Sequence, residues 1–388
     1  MKETIVLTSK YYKPHFGGVE NSLFFLAKEY VNAGKNVIIL CSDASLNKKL
    51  RLRSVNIESN INIIRYKRYI PKLYLDYLLK PFIDIYRIKK KLRTISKEFI
   101  VNNVIARSPE TALSSFFLGF KTSYLVPGII KTQDYISPRS FFDYKSLFIN
   151  NIVLKPLIYQ QKKALSLTNV FVFSENMKYQ VVKFLQRNIK IKIVKPGVDS
   201  SKFKPRKIKR VNKIFVFLIV GRLVKDKSID LAIKSFSMLN SKKSRLLIIG
   251  EGPEEKNLRD LALELNVNDR ILFKGKITKN IESYYRKSDC FLMSSTREPF
   301  GQTIIEALAV GLPILAWKKS ENVLTATHEI ITNNRNGFLI DYNVESMSDA
   351  MLKIINLSEK QKFFFFDNNI KLINEKYQWK NLSQNLIK

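Results

Sequence analysis

Histidine and cysteine are scarce in this sequence, whose 388 residues include only two of each. Cys41 and Cys290 lie far apart, and each adjoins an apolar run. This placement predicts two buried thiols in a reducing compartment and excludes a disulfide framework. So few histidines and cysteines also exclude a structural zinc site built from these residues.

Long apolar runs are missing as well. No stretch reaches the roughly 18 apolar residues that a membrane-spanning helix requires. The first apolar residues, Ile5 to Leu7, form too short a run for a signal peptide. We therefore expect a cytoplasmic protein, and the length predicts two domains or three.

Acidic residues are few, since 33 Asp and Glu stand against 67 Lys and Arg, which gives a net charge of +34. The imbalance is greatest in residues 1–200, with 34 basic and 13 acidic residues. Such a charge indicates an anionic partner, either nucleic acid or the face of an anionic membrane. The alternative is a composition biased towards Lys, Asn and Ile, whose basic surfaces have no dedicated partner.

Short apolar segments alternate with helical patterns along the whole chain. The first helix is predicted from Ser22 to Ala33, and a polar, basic linker from Asp199 to Lys213. Strands are predicted at 3–8, 36–42, 101–106, 122–126, 169–174, 214–220, 246–249, 271–274, 290–294 and 313–316. The pattern predicts an α/β protein with two doubly wound parallel sheets facing one cleft, where ligands bind at the carboxyl ends of strands.

The stretch 297–313 is the most informative, because it contains two carboxylates, Glu298 and Glu306. Pro299 and Gly301 interrupt a continuous helix, so we expect a loop that runs into a helix starting near Gly301. Backbone N–H groups at such a start favour phosphate. Carboxylates beside them can accept hydrogen bonds from sugar hydroxyls, which would suit a nucleotide-sugar.

Four other motifs lie next to predicted strands. Arg222 and Lys227 follow strand 214–220 and can hold a diphosphate, or they form a solvated basic turn. Gly250 forms a tight turn or contacts a ligand. The loop 274–277 is a backbone platform for a nucleobase or a purely structural loop. The fourth motif, Gly17-Gly18, allows a phosphate or an acceptor to approach the backbone, or it is a plain turn.

These motifs together resemble the family 4 glycosyltransferases of the GT-B fold, over nearly the whole chain. The residues that carry the resemblance are Gly17-Gly18-Val19-Glu20, Pro196-Gly197-Val198-Asp199 with Phe203 and Pro205, Gly221-Arg222-Leu223 with Lys227, Gly250-Glu251-Gly252-Pro253, Ser288-Asp289, and Glu298 to Glu306 with Gly311-Leu312-Pro313. The resemblance implies a retaining transferase of the bacterial cell-envelope glycan type. It implies an acceptor domain at 1–204, joined in space by a helix at about 373–388, and a donor domain at 205–372.

The resemblance also implies roles for the site residues. Arg222 and Lys227 would neutralise the departing diphosphate, and Glu298 would face the donor sugar, so these three are the catalytic candidates. Glu306 would accept the ribose hydroxyls. The other donor-binding candidates are Gly17, Gly18, Gly250, Lys276, Ile277, Phe300, Gly301 and Gln302. The acceptor-side candidates are His15 and Glu20.

Two absences bear on the resemblance. The sequence contains no Asp-x-Asp, and its cations can replace a metal, so we expect no metal and no cofactor. Ser228 stands where the family often has Gly, and 124–128 lacks the histidine that many members place near the reacting sugar. The missing histidine leaves open a catalytically silent GT-B-fold subunit that binds a membrane or a partner. The intact Arg222, Lys227, Glu298 and Glu306 favour an enzyme.

Two basic segments, Tyr66 to Ile95 and Arg139 to Lys163, mix aromatic and aliphatic residues with Lys and Arg. They predict amphipathic segments in the interface of an anionic membrane. The alternative is a core-facing helix with a solvated basic back. We expect peripheral binding to the inner face of the cytoplasmic membrane, a nucleotide-sugar donor, a glycan or lipid-linked acceptor, and no nucleic acid.

Overall fold

The computed structural model describes residues 3–15, 17–45, 51–71, 74–130, 154–206, 214–239 and 241–387, without the side chains of 74, 75, 77 and 78. The chain divides into two compact units. Unit 1 comprises Met1–Lys195 with Trp379–Lys388, and unit 2 comprises Pro196–Gln378. Each unit has its own sheet and its own apolar core.

The described residues of unit 1 form an eight-stranded sheet. Its strands, in spatial order, are β3 (Val55–Glu58), β4 (Ile61–Tyr66), β2 (Asn36–Ser42), β1 (Glu3–Thr8), β5 (Ile100–Ala106), β6 (Lys121–Leu125), β7 (Asn169–Val172) and β8 (Ile191–Ile193). All neighbours are parallel except β3 and β4. The strand order reverses between β1 and β5, which is where doubly wound sheets bind ligands.

Helices cover both faces of this sheet. They are α1 (Gly18–Asn32), α2 (Tyr74–Glu98), α3 (Pro109–Phe116), α4 (Leu154–Leu167) and α5 (Glu175–Leu185). Leu23 and Leu26 of α1 pack with Leu7 on one face. Ile88 of α2 packs with Val6 on the other face. Successive β1 residues therefore enter two cores, as expected for a strand buried on both sides.

The described residues of unit 2 form a parallel six-stranded sheet and a separate strand pair. The six strands, in spatial order, are β11 (Ile271–Phe273), β10 (Ser244–Ile249), β9 (Phe215–Val220), β12 (Cys290–Met293), β14 (Ile314–Trp317) and β16 (Gly337–Ile340). The pair consists of β13 (Arg297–Glu298) and β15 (Leu324–Thr325). The helices are α6 (Ile229–Ser237), α7 (Glu255–Glu264), α8 (Ile281–Lys287), α9 (Gln302–Ala309), α10 (Val344–Ile355) and α11 (Glu359–Lys376).

The segment between the units packs on unit 2 as far as the described residues reach. Arg206 donates to the carbonyl of Ser288 over 2.6 Å, and Phe203 lies edge-on against Tyr285. The units therefore divide at Lys195, whereas the sequence placed the boundary after residue 204. Residues 207–213 of the expected linker lie outside the described residues.

The last helix, α12 (Trp379–Ile387), belongs to unit 1. Trp379 stacks on Phe25 of α1 with 5.3 Å between ring centroids. Tyr30 Oη donates to the carbonyl of Ser383 over 2.7 Å. The sequence placed the returning segment from about 373, but α11 occupies residues up to Lys376 within unit 2, so the return begins at Trp379.

The predicted fold class is confirmed, since every predicted strand has a counterpart in one of two doubly wound units. The sequence analysis omitted β3, β4, β8, β13, β15 and β16. Cys41 and Cys290 are both free and buried, as predicted. In the part of the chain that the structure describes, no helix has both the length and the apolarity to cross a membrane.

Candidate functional site

The side chains of Lys227 and Glu298 are in direct contact in unit 2. Lys227 Nζ lies 2.6 Å from Glu298 Oε2, and the two side chains are 23% and 19% exposed. Lys227 ends a 3₁₀ turn after β9, and its carbonyl accepts a hydrogen bond from Ser294 just after β12. Two predicted catalytic residues thus form a mostly buried ion pair.

Glu298 lies on a short strand rather than on the expected loop. Strand β13 pairs in parallel with β15, and Ala326 N donates to the Glu298 carbonyl over 3.1 Å. Pro299 and Gly301 then turn the chain into α9, which begins at Gln302. The pairing with β15 fixes the backbone of Glu298, which orients its carboxylate towards Lys227.

Arg222 is exposed, and its guanidinium has neither a hydrogen bond nor an ion pair within the described residues. Its backbone loop is held tightly, because Leu223 N donates to the carbonyl of Glu251 over 3.0 Å. A Cβ at Gly250 would lie 1.8 Å from the Gly221 oxygen. Gly250 is therefore required for close packing of the Arg222 loop, which is the tight-turn role that the sequence left open.

The start of α9 provides backbone donors. Gly301 has a φ of 101° and forms the N-cap, where a left-handed backbone favours glycine. The N–H groups of Gly301 and Gln302 reach no acceptor in the described part of the chain. The Gln302 side chain donates to the Gly197 carbonyl over 3.0 Å, and Phe300 packs near Tyr377. The hydrogen-bond donors available at this helix start are thus backbone N–H groups rather than side chains.

Glu306 lies about one turn into α9 and is half-buried. Its Oε2 accepts a hydrogen bond of 2.9 Å from Tyr285 Oη on α8. Burial raises the pKa of Glu306 to about 7, while the hydrogen bond from Tyr285 lowers it. The sequence analysis did not select Tyr285, although it precedes the Ser288-Asp289 motif by less than one turn.

The loop after β11 lies beside the Gly250 turn. Gly250 N donates to the Gly275 carbonyl over 2.9 Å, and Lys276 forms an exposed ion pair of 2.8 Å with Glu251. Ile277 follows in the same loop and is half-buried. The carboxyl ends of the adjacent strands β9, β10, β11 and β12 therefore gather the cations and the glycine turns at one edge of the sheet.

The remaining candidates lie in unit 1, before and within the first turn of α1. His15 Nε2 lies 3.1 Å from the Ala44 carbonyl, and Gly17 is the N-cap of α1. A Cβ at Gly17 would lie 2.7 Å from Glu20 Oε2, so the carboxylate of Glu20 folds back over the helix start. At Gly18, no atom of the described residues lies within 4 Å of the equivalent position. Phe16, which precedes the glycine pair, lies outside the described residues.

Arg107 is a buried cation that the sequence analysis missed. It follows β5, is 3% exposed, and its Nη1 donates to the Leu125 carbonyl over 2.7 Å. Burial lowers the pKa of Arg107 to about 10, while electrostatic interactions with Tyr124 and Glu20 raise it. A charged residue directly after an apolar strand was the signal that could have identified it.

Comparisons with known proteins bear on the family and the fold. Residues 200–364 match the family model described as glycosyl transferases group 1. An uncharacterized glycosyltransferase of Haemophilus influenzae is 32% identical over 210 residues, which cover 52% of this chain and 56% of that protein. The capsular polysaccharide biosynthesis glycosyltransferase CapM of Staphylococcus aureus is 28% identical over 205 residues, 49% of this chain and 52% of that protein. The chain thus spans about half the length of these relatives.

The whole chain resembles solved structures in fold. Sucrose-phosphate synthase from Thermosynechococcus elongatus superposes with a TM-score of 0.79 at 16% identity, covering 99% of this chain and 97% of that chain. The protein has the GT-B fold, as predicted. The resemblance to group 1 glycosyltransferases is confirmed by the match over residues 200–364.

Proposed function

We propose that this protein is a retaining glycosyltransferase that moves a sugar from a nucleotide-sugar to a glycan or lipid-linked acceptor in cell-envelope polysaccharide synthesis. The observation that carries the proposal is the Lys227–Glu298 pair at the carboxyl edge of the unit 2 sheet. Arg222 and the start of α9 provide further positive groups in the same unit. The family match over 200–364 and the similarity to CapM, a capsular polysaccharide biosynthesis glycosyltransferase, support it.

In this proposal the donor binds through charge complementarity. Its diphosphate is held by Arg222, Lys227 and the free N–H groups of Gly301 and Gln302, because cations and helix starts favour phosphate. Glu298 accepts hydrogen bonds from hydroxyls of the transferred sugar. Glu306 accepts the ribose hydroxyls.

The reaction breaks the bond between the sugar C1 and the oxygen of the β-phosphate, and the electron pair goes to that oxygen. The acceptor hydroxyl forms the new bond on the same face of C1, and its proton passes to the departing phosphate. Charge develops on the phosphate in an oxocarbenium-like transition state, so Arg222 and Lys227 supply the main stabilisation. With two cations in this role, the mechanism requires no metal ion.

The ion pair has a second use in this mechanism. Before the donor binds, Glu298 keeps the Lys227 ammonium in place, so little reorganisation accompanies the arrival of the diphosphate. Lys227 then interacts with both the carboxylate and the phosphate. Removing either partner would leave the other as an uncompensated, mostly buried charge.

A thermal-shift screen of UDP-, GDP- and ADP-sugars tests the proposal. We expect one donor to raise the unfolding midpoint of the parent protein, and Arg222→Ala to lose most of that shift. The control is Lys225→Ala, which removes an exposed lysine of the same turn whose side chain has no hydrogen bond or ion pair within the described residues. Equal shifts in Arg222→Ala and the parent, or no shift with any donor, would contradict the proposal.

We also propose that unit 1 binds an anionic membrane surface through α2. Leu79, Phe82 and Tyr86 are exposed on this helix, the last two by 57% and 65%. Their spacing of three and four residues continues to the exposed Lys90 and Arg93, so all five form one stripe. Apolar side chains beside cations suit the interface of an anionic lipid leaflet.

The opposite side of α2 packs in the core of unit 1 through Ile88 and Leu92. The helix thus has a core-facing side, as the alternative interpretation expected, and an outer stripe that is both apolar and basic. Phe117, just after α3, is also exposed and carries Lys89 Nζ 5.6 Å above its ring. Residues 139–153 of the second basic segment lie outside the described residues. This surface supports a lipid-linked acceptor and a location on the inner face of the cytoplasmic membrane.

A further inference from the structure

A buried tyrosine fixes the carboxylate that the proposed function assigns to the ribose. Tyr285 is completely buried, and its Oη lies 2.9 Å from Glu306 Oε2. Its ring stacks on Phe291 with 10° between the ring planes and lies edge-on to Phe203. Held on two sides, the ring has little rotational freedom, so the hydroxyl is directed at one carboxylate oxygen.

The hydrogen bond has a defined direction. Burial and the neighbouring charge of Glu306 raise the pKa of Tyr285 well above its usual value, so the phenol keeps its proton and can only donate to the carboxylate. An ionised carboxylate offers about four lone-pair sites. One is used by Tyr285, which leaves enough acceptor capacity for two ribose hydroxyls.

We propose that Tyr285 is a positioning residue of the donor site, which orients the Glu306 carboxylate towards the ribose hydroxyls and favours its ionised form. This inference rests on the proposed function, which assigns Glu306 to the ribose. It adds Tyr285, on helix α8, to the donor site. It also makes donor binding depend on the ionisation of Glu306, and hence on pH.

The pH dependence follows from the surroundings of Glu306. Burial raises its pKa to about 7, and among the described residues Tyr285 is the side chain that opposes this shift. Ribose hydroxyls donate best to the ionised form, so binding favours deprotonation. Apparent donor affinity should therefore fall by up to about tenfold for each pH unit below about 7.

The elements that pack against α9 carry other titratable groups besides Tyr285. Strand β14 has none, and burial raises the pKa of Cys290 on β12 well above its usual value. The remaining groups are Glu282, Tyr284, Arg286 and Lys287 on α8, and Glu359, Lys360, Lys362, Asp367, Lys371, Glu375 and Lys376 on α11. Of these, the α11 groups are exposed apart from the half-buried Lys362, and Glu282, Tyr284 and Arg286 are half-buried.

Tyr285→Phe tests the inference, because phenylalanine keeps the ring between Phe203 and Phe291 and removes only the hydroxyl. UDP, GDP and ADP are titrated into the parent protein by calorimetry, and the tightest binder is followed from about pH 5.5 to pH 8.5. We expect Tyr285→Phe to bind it about three- to tenfold more weakly at neutral pH. Its affinity should also begin to fall at a higher pH than in the parent. Tyr284→Phe, the neighbouring residue on α8, is the matched control and should behave like the parent.

A nucleoside diphosphate that lacks the 2′- and 3′-hydroxyls separates positioning from a general structural effect. The parent and Tyr285→Phe should bind this analogue equally, because it makes no use of Glu306. Equal weakening towards both nucleotides, or an unchanged pH profile in Tyr285→Phe, overturns the inference while the proposed function stands if Glu306→Ala still loses binding. Absence of binding by all three nucleotides to the parent overturns the proposed function itself.

Discussion

Lys227 and Glu298 illustrate, at the scale of residues, how the candidate site is assembled. They are 71 positions apart in the chain, yet their side chains form an ion pair of 2.6 Å. The sequence identified both residues as candidates for separate roles, one towards phosphate and one towards sugar. It did not predict their contact, because that depends on how the turn after β9 and the short strand β13 approach each other.

The raised pKa of Glu306 leads to a prediction about the stability of the fold. The ordinary pKa of a glutamate is 4.5, and burial raises that of Glu306 to about 7 in the folded protein. The contribution of its neutral form to stability is therefore complete below pH 4.5 and is lost as pH rises through 7. Glu306→Gln cannot ionise. Its free energy of unfolding, relative to the parent, should therefore increase between pH 5 and pH 8, by at most about 3 kcal/mol.

The measurement compares thermal unfolding midpoints of Glu306→Gln and the parent at both pH values. Glu282→Gln on α8, whose carboxylate is not bonded to Tyr285, serves as the control. A difference between Glu306→Gln and the parent that is the same at pH 5 and pH 8 would rule out the raised pKa.

At the scale of elements, local sequence signals predicted starts and turns well. The helix was predicted to start near Gly301 and begins at Gln302, and the φ of 101° at Gly301 gives the physical reason for a glycine there. The turn at Gly250 was predicted, but its role was left open between a tight turn and a ligand contact. Only the structure shows that a Cβ at this position would collide with the Gly221 carbonyl, because that contact joins two loops from different strands.

The elements that were missed are short or lie at sheet edges. Strands β3 and β4 form the antiparallel edge of the unit 1 sheet, and β3 is largely exposed, so it lacks the apolar run of a central strand. The two-residue strands β13 and β15 are too short to produce any periodicity. They exist because tertiary packing brings them together, which a single sequence does not encode in a readable pattern.

Helix α2 allows a test of membrane binding by flotation with vesicles. The parent protein should float with vesicles that contain phosphatidylglycerol and lose binding as salt is raised, because charge attraction is screened. The double substitution Phe82→Ser and Tyr86→Ser should reduce flotation about tenfold or more, since two large apolar groups no longer enter the interface.

The matched control for that test is Phe363→Ser with Phe364→Ser, which removes two exposed aromatic residues from α11 in unit 2. This control should float like the parent. Binding that does not depend on lipid charge or salt, or that falls equally in both double variants, would contradict a role for the α2 stripe.

At the scale of the whole molecule, the two units differ in how well their sequence motifs specify candidate site residues. Residues 200–364, most of unit 2, match the glycosyltransferase family model, and the sequence motifs there specified most of the donor candidates. Unit 1 offers weaker signals. It contains the buried Arg107 beside the stretch where a family histidine was expected, but its ligand chemistry depends on loops that motifs do not define.

The net charge of +34 is likewise a property of the whole molecule. In unit 2 the proposed function uses two cations, Arg222 and Lys227, for the diphosphate. In unit 1 it uses Lys90 and Arg93 on the outer stripe of α2 for lipid head groups. Both uses require an anionic partner, which agrees with the first inference from composition.

The most direct test of the central claim is a crystal structure with the nucleotide-sugar that stabilises the protein. The account predicts that the diphosphate contacts Arg222, Lys227 and the N–H groups at the start of α9, with the ribose hydroxyls on Glu306. A nucleotide bound elsewhere on unit 2, with the Lys227–Glu298 pair facing only water, would contradict it.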